Sequence, residues 1–214
     1  MRARLLIWIL AMMVFVIPIA AFGLYVLYER KFVQLPIYGM VENVNGKERY
    51  HRIPDFELTN QDGKTVSTDH WKDKIVVANF FFSHCPVICP KMTNNLRLVQ
   101  DAFTEEGEKL LISSISIDPE RDDPGRLRVY ARKFAVNTKN WQLLTGPKPE
   151  IYKLARNGFM IVATDGDGGP EDFIHSEKLV LVDRQRRIRG YYDGTNRREV
   201  NKLIHDIKKL QNEN

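Results

Sequence analysis

The chain is poor in cysteine, with two in 214 residues. Two thiols exclude a disulfide-stapled small fold, yet they suffice for one redox or metal site. Net charge is small, 32 basic against 27 acidic residues, and no basic run is interleaved with aromatic residues. A nucleic-acid partner is therefore not expected. Internal repeats and low-complexity stretches are absent, which excludes solenoids and biased disordered tails. Long apolar runs are also lacking, with one exception, and a mean hydropathy of −0.34 excludes a multi-span membrane protein.

The exception is Leu5–Tyr28, which carries no charge over 24 residues. As a helix it would reach about 36 Å, against a hydrocarbon core of roughly 30 Å. Secretory signals have shorter apolar cores, about 7–15 residues, and a small-residue cleavage site. This run ends in Gly23-Leu24-Tyr25-Val26 without an A-x-A pattern, and no cysteine directly follows it to carry a lipid. Pro18 is tolerable in such a span, and Trp8, Tyr25 and Tyr28 fit interfacial anchors. A retained transmembrane anchor is expected, with a cleaved signal as the alternative. Arg2 and Arg4 before the run balance Arg30 and Lys31 after it, so basic residues alone leave the orientation nearly undecided. The chain divides into an anchor over residues 1–28, a tether over 29–50 and a domain over 51–214.

Within that domain, strand and helix patterns alternate. Asp55–Leu58 and Thr65-Val66 flank a turn at Gln61–Lys64 and predict a small hairpin. Ile75–Phe82 is a continuous apolar run, as in a strand covered on both faces, and Lys109–Ile117 predicts a second. Met92, Leu96, Val99 and Phe103 place one apolar face on a helix over Pro90–Phe103. A further helix spans Pro124–Phe134, with Asp122 or Asp123 as its cap. A short strand at Trp141–Leu144, a short helix at Pro149–Ala155, and a hairpin from Lys178–Val182 to Ile188–Tyr192 follow. Asn196 caps a last helix presenting Val200, Leu203, Ile204, Ile207 and Leu210 on one face. This order predicts an α/β sandwich of the thioredoxin-like kind, preceded by a single transmembrane helix. Fold analogy alone does not establish function.

Both cysteines fall in one heptapeptide, His84-Cys85-Pro86-Val87-Ile88-Cys89-Pro90, where the first buried strand ends and the first helix begins. Ligands gather at that carboxyl edge of open α/β sheets, and a helix start stabilises thiolate. The C-x-x-x-C spacing sets the two sulfurs about one helical turn apart on one face. They can coordinate one ion together or close a disulfide. Two thiolates leave a soft metal under-coordinated, and His175 is the best candidate for a third ligand. It follows the loop Asp165-Gly166-Asp167-Gly168-Gly169-Pro170. Two thiolates with one imidazole suit Cu(I), and also permit Cu(II) or zinc.

Other readings of these residues carry less. His51, His70 and His205 are read as solvated or internally satisfied. His84 adjoins Cys85, and side-by-side residues rarely converge on one metal. Asp165-x-Asp167-x-Gly169 begins like a calcium loop, but Pro170 replaces the needed glycine and Ser176 stands where glutamate belongs. The Gly-x-Gly pairs there precede no helix start, which excludes a nucleotide loop.

Several segments in this order resemble the Sco/SenC family. Phe82-Ser83-His84-Cys85-Pro86-Val87-Ile88-Cys89-Pro90 is similar to the family's F-T-x-C-P-x-x-C-P, and Ser116–Pro124 to its S-x-D-P-x-R-D-T-P. Tyr130-Ala131, Phe134, Trp141 and Leu143–Gly146 match the next block, and His175-Ser176 with Leu181-Val182-Asp183 aligns with the family histidine and its strand. The resemblance covers nearly all of residues 53–210. It implies a membrane-tethered thioredoxin fold that binds copper through Cys85, Cys89 and His175 and serves the copper centre of cytochrome oxidase subunit II. It also implies an N-terminus in the cytoplasm and a domain outside, and the short basic tail without a transit pattern points to a bacterial inner membrane and the periplasm. The chain departs from the family at Val87 and Ile174, where many members carry acidic residues.

The leading expectation is thus a copper chaperone for oxidase assembly, not a turnover enzyme. The rival is a thiol–disulfide oxidoreductase in which Cys85 attacks a partner disulfide and Cys89 resolves the mixed intermediate. A purely structural disulfide is a third reading.

Overall fold

The computed structural model describes Trp8 and residues 10–32, 34–44, 46–104, 109–161 and 176–213. A π-helical segment, Met12–Val16, runs into helix α1, Ile17–Phe32. Among the described residues no helix is long and apolar enough to cross a membrane.

Two strands lie inside the segment read as a tether: β1 (Val41–Val44) pairs antiparallel with β2 (Lys47–Tyr50). Asn45-Gly46 between them is a strong hairpin signal in the sequence, and Gly46 adopts the positive φ (+76°) such turns require. Residues 29–50 therefore carry structure of their own.

The domain is built on one seven-stranded mixed sheet. Its strands are β3 (Glu57–Asn60), β4 (Thr65–Ser67), β5 (Ile75–Phe81), β6 (Leu110–Ser116), β7 (Trp141–Thr145), β8 (Lys178–Val182) and β9 (Ile188–Asp193). The spatial order is β4-β3-β7-β6-β5-β8-β9. The central β7, β6 and β5 are parallel, and β3 and β8 join them antiparallel on either side. The helices are α2 (Ile88–Ala102), α3 (Pro124–Lys133), α4 (Lys148–Lys153) and α5 (Arg197–Gln211). These are the predicted elements in the predicted order, with three differences: a 3-10 turn over Thr68–Trp71 precedes β5, α2 begins at Ile88 rather than Pro90, and after α4 the chain widens into a π-helical turn over Leu154–Gly158.

Alternation along β5 divides the core. Ile75, Val77 and Phe81 face a layer with Met92, Leu96 and Val99 of α2, Leu127 and Tyr130 of α3, and Val200, Leu203 and Ile207 of α5. Val76, Ala78 and Phe80 face the other layer, with Trp71, Ile151, Tyr152, Phe159, Val180 and Ile188. Every residue of β5 and β6 is buried, as expected of parallel strands covered on both faces. Ser114 of β6 is accommodated by pairing: its Oγ donates to Asn79 Oδ1 (2.6 Å) and accepts from Trp141 Nε1 (2.9 Å), whereas the buried Ser113 Oγ finds no partner among the described residues. This arrangement leaves the carboxyl end of β5 and the start of α2 at one edge of the sheet, and both cysteines sit there.

Candidate metal centre

Strand β5 ends at Phe81, and Phe82–Val87 turn the chain into α2 at Ile88. The turn is tied down by Cys85 N–H donating to Phe82 O (3.2 Å). Cys89 lies in the first turn of α2, and its backbone N–H donates to Cys85 Sγ at 3.2 Å. Both thiols are free and both residues are buried, at 7% and 4% exposure. The two sulfurs are within hydrogen-bond reach of each other. The spacing thus does what the sequence predicts: it sets two sulfurs together over a helix start.

The two thiols are not equivalent. Burial pushes Cys85 up, but hydrogen bonds from the backbone of Cys89, Val87 and Ile88 and from the Cys89 thiol outweigh it, and Cys85 titrates below the ordinary thiol value. For Cys89 burial prevails: its pKa is pushed up to about 12, with Cys85 and Asp122 acting in the same direction. Cys85 is therefore the better nucleophile and the first to ionise, whereas Cys89 loses its proton to solvent readily only as its sulfur binds a metal or a covalent partner.

A buried carboxylate organises the approach to this pair; in the sequence it stands out as a possible helix cap and as part of the Ser116–Pro124 motif, with no role assigned at the site. Asp122 has no exposed surface. Its Oδ2 accepts the Ser83 N–H (2.9 Å) and the Ser116 hydroxyl (2.6 Å), and its Oδ1 accepts the Ser83 hydroxyl. The cap of α3 is its neighbour Asp123, whose Oδ1 accepts the Arg126 N–H at 2.7 Å. Asp122 instead pins the residue two places before Cys85 to the end of β6. His84 is half-exposed, with Nδ1 at 3.7 Å from Asp122 Oδ1, and faces this carboxylate. On the inner side, Tyr130 hydrogen-bonds Thr93 Oγ1 (2.8 Å) and stacks at 5.1 Å on Phe81, and burial pushes its hydroxyl pKa up. Pro86 and Val87 stand exposed between the cysteines, an apolar rim where an acidic one was the commoner expectation.

The expected third ligand, His175, and the glycine-rich loop from Asp165 to Pro170 lie outside the described residues. Among the described residues no group of three or more His, Cys, Asp or Glu side chains converges as a metal site. The remaining histidines stand apart from the cysteines: His51 Nε2 meets Gly158 O (2.8 Å), and His70 closes a capping box with Ser67.

The family model described as SCO1/SenC matches residues 44–212, most of the chain. The chain belongs to the SCO1/SenC family. The SCO1 protein homolog of Bacillus subtilis (strain 168) is 31% identical over 159 residues, covering 74% of this chain and 82% of that protein. BsSco, described as a member of the Sco family of cytochrome c oxidase assembly proteins with a disulfide switch, superposes with a TM-score of 0.65 at 30% identity. That match covers 75% of this chain and 93% of BsSco. Bradyrhizobium japonicum ScoI, solved with copper bound, gives a TM-score of 0.58 at 26% identity over 73% of this chain and 98% of its own. The α/β sandwich is thus the thioredoxin-like fold of Sco proteins, and the CxxxC segment and the Asp122 motif both lie inside the matched region.

Proposed function

We propose that this chain is a membrane-anchored, copper-binding assembly factor. It holds copper through Cys85, Cys89 and His175 and passes it to the copper centre of cytochrome oxidase subunit II. The observation that carries this reading is the preformed pair of buried, reduced thiols at one helix start, with a backbone N–H already aimed at Cys85 Sγ. Soft sulfur donors at this spacing fit Cu(I), and an imidazole completes a low-coordinate site. Membership of a family that includes copper-bound and oxidase-assembly proteins supports copper as the cargo. Transfer proceeds by ligand exchange: a partner thiolate enters as one chain sulfur leaves, so the metal is never released to water.

The anchor reading is supported by the uncharged run Leu5–Tyr28 and by the way its helical part meets solvent. Trp8, Met12, Phe15, Ile19, Phe22, Leu24 and Leu27 are all more than half exposed, so apolar side chains point outward on every side of the helix. We place the domain on the periplasmic side of a bacterial inner membrane.

The asymmetry of the two thiol pKa values also favours a second reading, a thiol–disulfide oxidoreductase led by Cys85. One measurement separates the two. Cu(I) binding is titrated on the reduced chain and on the chain with the Cys85–Cys89 pair oxidised, beside a reductase assay on oxidised subunit II. The chaperone reading predicts stoichiometric copper only in the reduced form, because a disulfide sulfur is no longer an anionic ligand. Tight copper in the disulfide form contradicts it, and rapid reduction of subunit II with no copper binding favours the oxidoreductase.

A further inference from the structure

The chain that leaves α1 is fastened to the domain within three residues. Leu35 donates its N–H to Glu213 Oε1 at 2.8 Å, and Tyr38 donates to Ile188 O at 2.8 Å. Arg189 is 4% exposed and uses its guanidinium as a joint. Nη2 donates to Leu35 O (2.6 Å) and Nε to Pro36 O (3.1 Å), while the same group meets Asp183 (3.2 Å) and Glu213 (2.5 Å). A planar fork shared between two carboxylates and two carbonyls holds its partners in one geometry. Further on, His51 N–H donates to Met40 O (3.0 Å), extending the exposed β1–β2 hairpin, and Ile53 N–H donates to Arg186 O (2.9 Å), where the chain rejoins the β8–β9 turn. Only residues 33 and 34 separate the end of α1 from Leu35. Three Cα–Cα steps span at most about 11 Å.

This short connection fixes which end of the domain lies near the anchor. Strand β8 runs antiparallel to β5, with Val182 opposite Val76 and Leu179 opposite Asn79. The β8–β9 turn, Asp183–Arg187, therefore lies beyond Ile75, at the end of the sheet opposite the cysteines. Arg184 Nη1 reaches Glu213 O (3.4 Å), which places the end of α5 at the same corner. The corner keeps an excess of positive charge: four arginines in residues 183–189, with Lys208 and Lys209 in the last turn of α5, stand against Asp183, Glu213 and Asp55. Those carboxylates pair with Arg186, Arg187 and Arg189 and leave Arg184 without a carboxylate partner in these pairs.

We propose that the arginine-bearing β8–β9 turn seats against anionic phospholipid headgroups. The Arg189–Glu213 joint sets this seat, so that Cys85 and Cys89 are presented at the far end of the sheet. Seven residues of β5 at about 3.3 Å each put the cysteines roughly 20 Å or more above the bilayer. The inference rests on the reading of residues 1–28 as a membrane anchor and adds to it an orientation and a contact surface. Basic side chains held within a Debye length of an anionic membrane are attracted to it, and salt weakens that attraction.

The test uses the full chain with Cys85→Ser and Cys89→Ser, carrying one fluorophore on Gln185→Cys or on Val87→Cys. The chain is reconstituted in phosphatidylcholine–phosphatidylglycerol vesicles that contain a headgroup-nitroxide lipid. The expected result is co-flotation with the vesicles and several-fold stronger quenching at position 185 than at 87. The difference should narrow at high salt, in pure phosphatidylcholine, with Arg184→Glu and with Glu213→Ala. A chain that co-floats but quenches equally at both positions overturns the orientation while leaving the anchor intact. A difference unchanged in pure phosphatidylcholine overturns the headgroup contact. A chain that does not co-float overturns the anchor and this inference with it.

Discussion

Cys89→Ser, like Cys85→Ser, is expected to lower Cu(I) affinity by more than a hundredfold, measured by competition with a Cu(I) chelator under reducing conditions. The magnitude follows from the donor count. A four-ligand structural metal site binds with about 10–16 kcal/mol, or roughly 3 kcal/mol per ligand, and 1.4 kcal/mol is a factor of ten. Serine fits the same space but offers a hard hydroxyl that does not ionise near neutral pH, so a soft ion loses the bond and gains no substitute. The two variants should differ in their residual thiol chemistry. In Cys89→Ser the remaining thiol keeps the backbone N–H groups of residues 87–89 and stays the more acidic of the two. In Cys85→Ser the remaining thiol is the one that burial pushes up, and it should alkylate slowly at neutral pH.

Asp122→Ala should destabilise the domain by roughly 3 kcal/mol, because it removes the acceptor of three donors at once: the fully buried Ser116 hydroxyl and the partly buried Ser83 N–H and Ser83 hydroxyl. In a domain of this size that corresponds to a fall in Tm of roughly 6–12 °C, readable by thermal unfolding of the full chain in detergent. The adjacent Asp123→Ala is the control. It removes one exposed N-cap bond to Arg126 and should cost about 1 kcal/mol. Equal losses in the two variants would mean that Asp122 is not the anchor of the Ser83 turn. The site should respond as well, since Ser83 lies two residues before Cys85 and its release loosens the turn that carries the first sulfur.

These two aspartates show where sequence reading stops. Asp122 and Asp123 are identical in type and adjacent, and capping logic admits either. Only the tertiary placement of β5 beside β6 brings Ser83 and Ser116 onto one carboxylate and separates a buried anchor from a surface cap. The same limit applies to Arg189, which looks like one more surface arginine in a basic turn. Its partners Leu35 and Pro36 are more than 150 residues away in sequence. Elements whose pattern is local were legible. The apolar runs of β5 and β6 announced double burial, and the spacing of Val200, Leu203, Ile207 and Leu210 announced one buried face of α5. The β1–β2 hairpin was missed and its residues read as a tether, because its strands are four residues each and β1 is exposed throughout, with no buried alternation to announce it.

The departures from the family pattern have a physical consequence. Val87 is 65% exposed directly between the cysteines, so the lip of the site is apolar where a carboxylate is commoner. A partner approaching this edge meets Pro86 and Val87 before it meets sulfur. Docking here should therefore depend less on ionic strength than docking to an acidic lip.

The central claim is a three-ligand copper site that recruits His175 to the cysteine pair. It is tested most directly by competition titration of Cu(I) on the reduced full chain, wild type against His175→Ala. The account predicts that His175→Ala binds at least tenfold more weakly and shows a changed copper X-ray absorption edge, while the reactivity of the free thiols is unaltered. Equal affinity and an identical edge for the two proteins would contradict it, and would leave Cys85 and Cys89 as a dithiol whose principal chemistry is exchange.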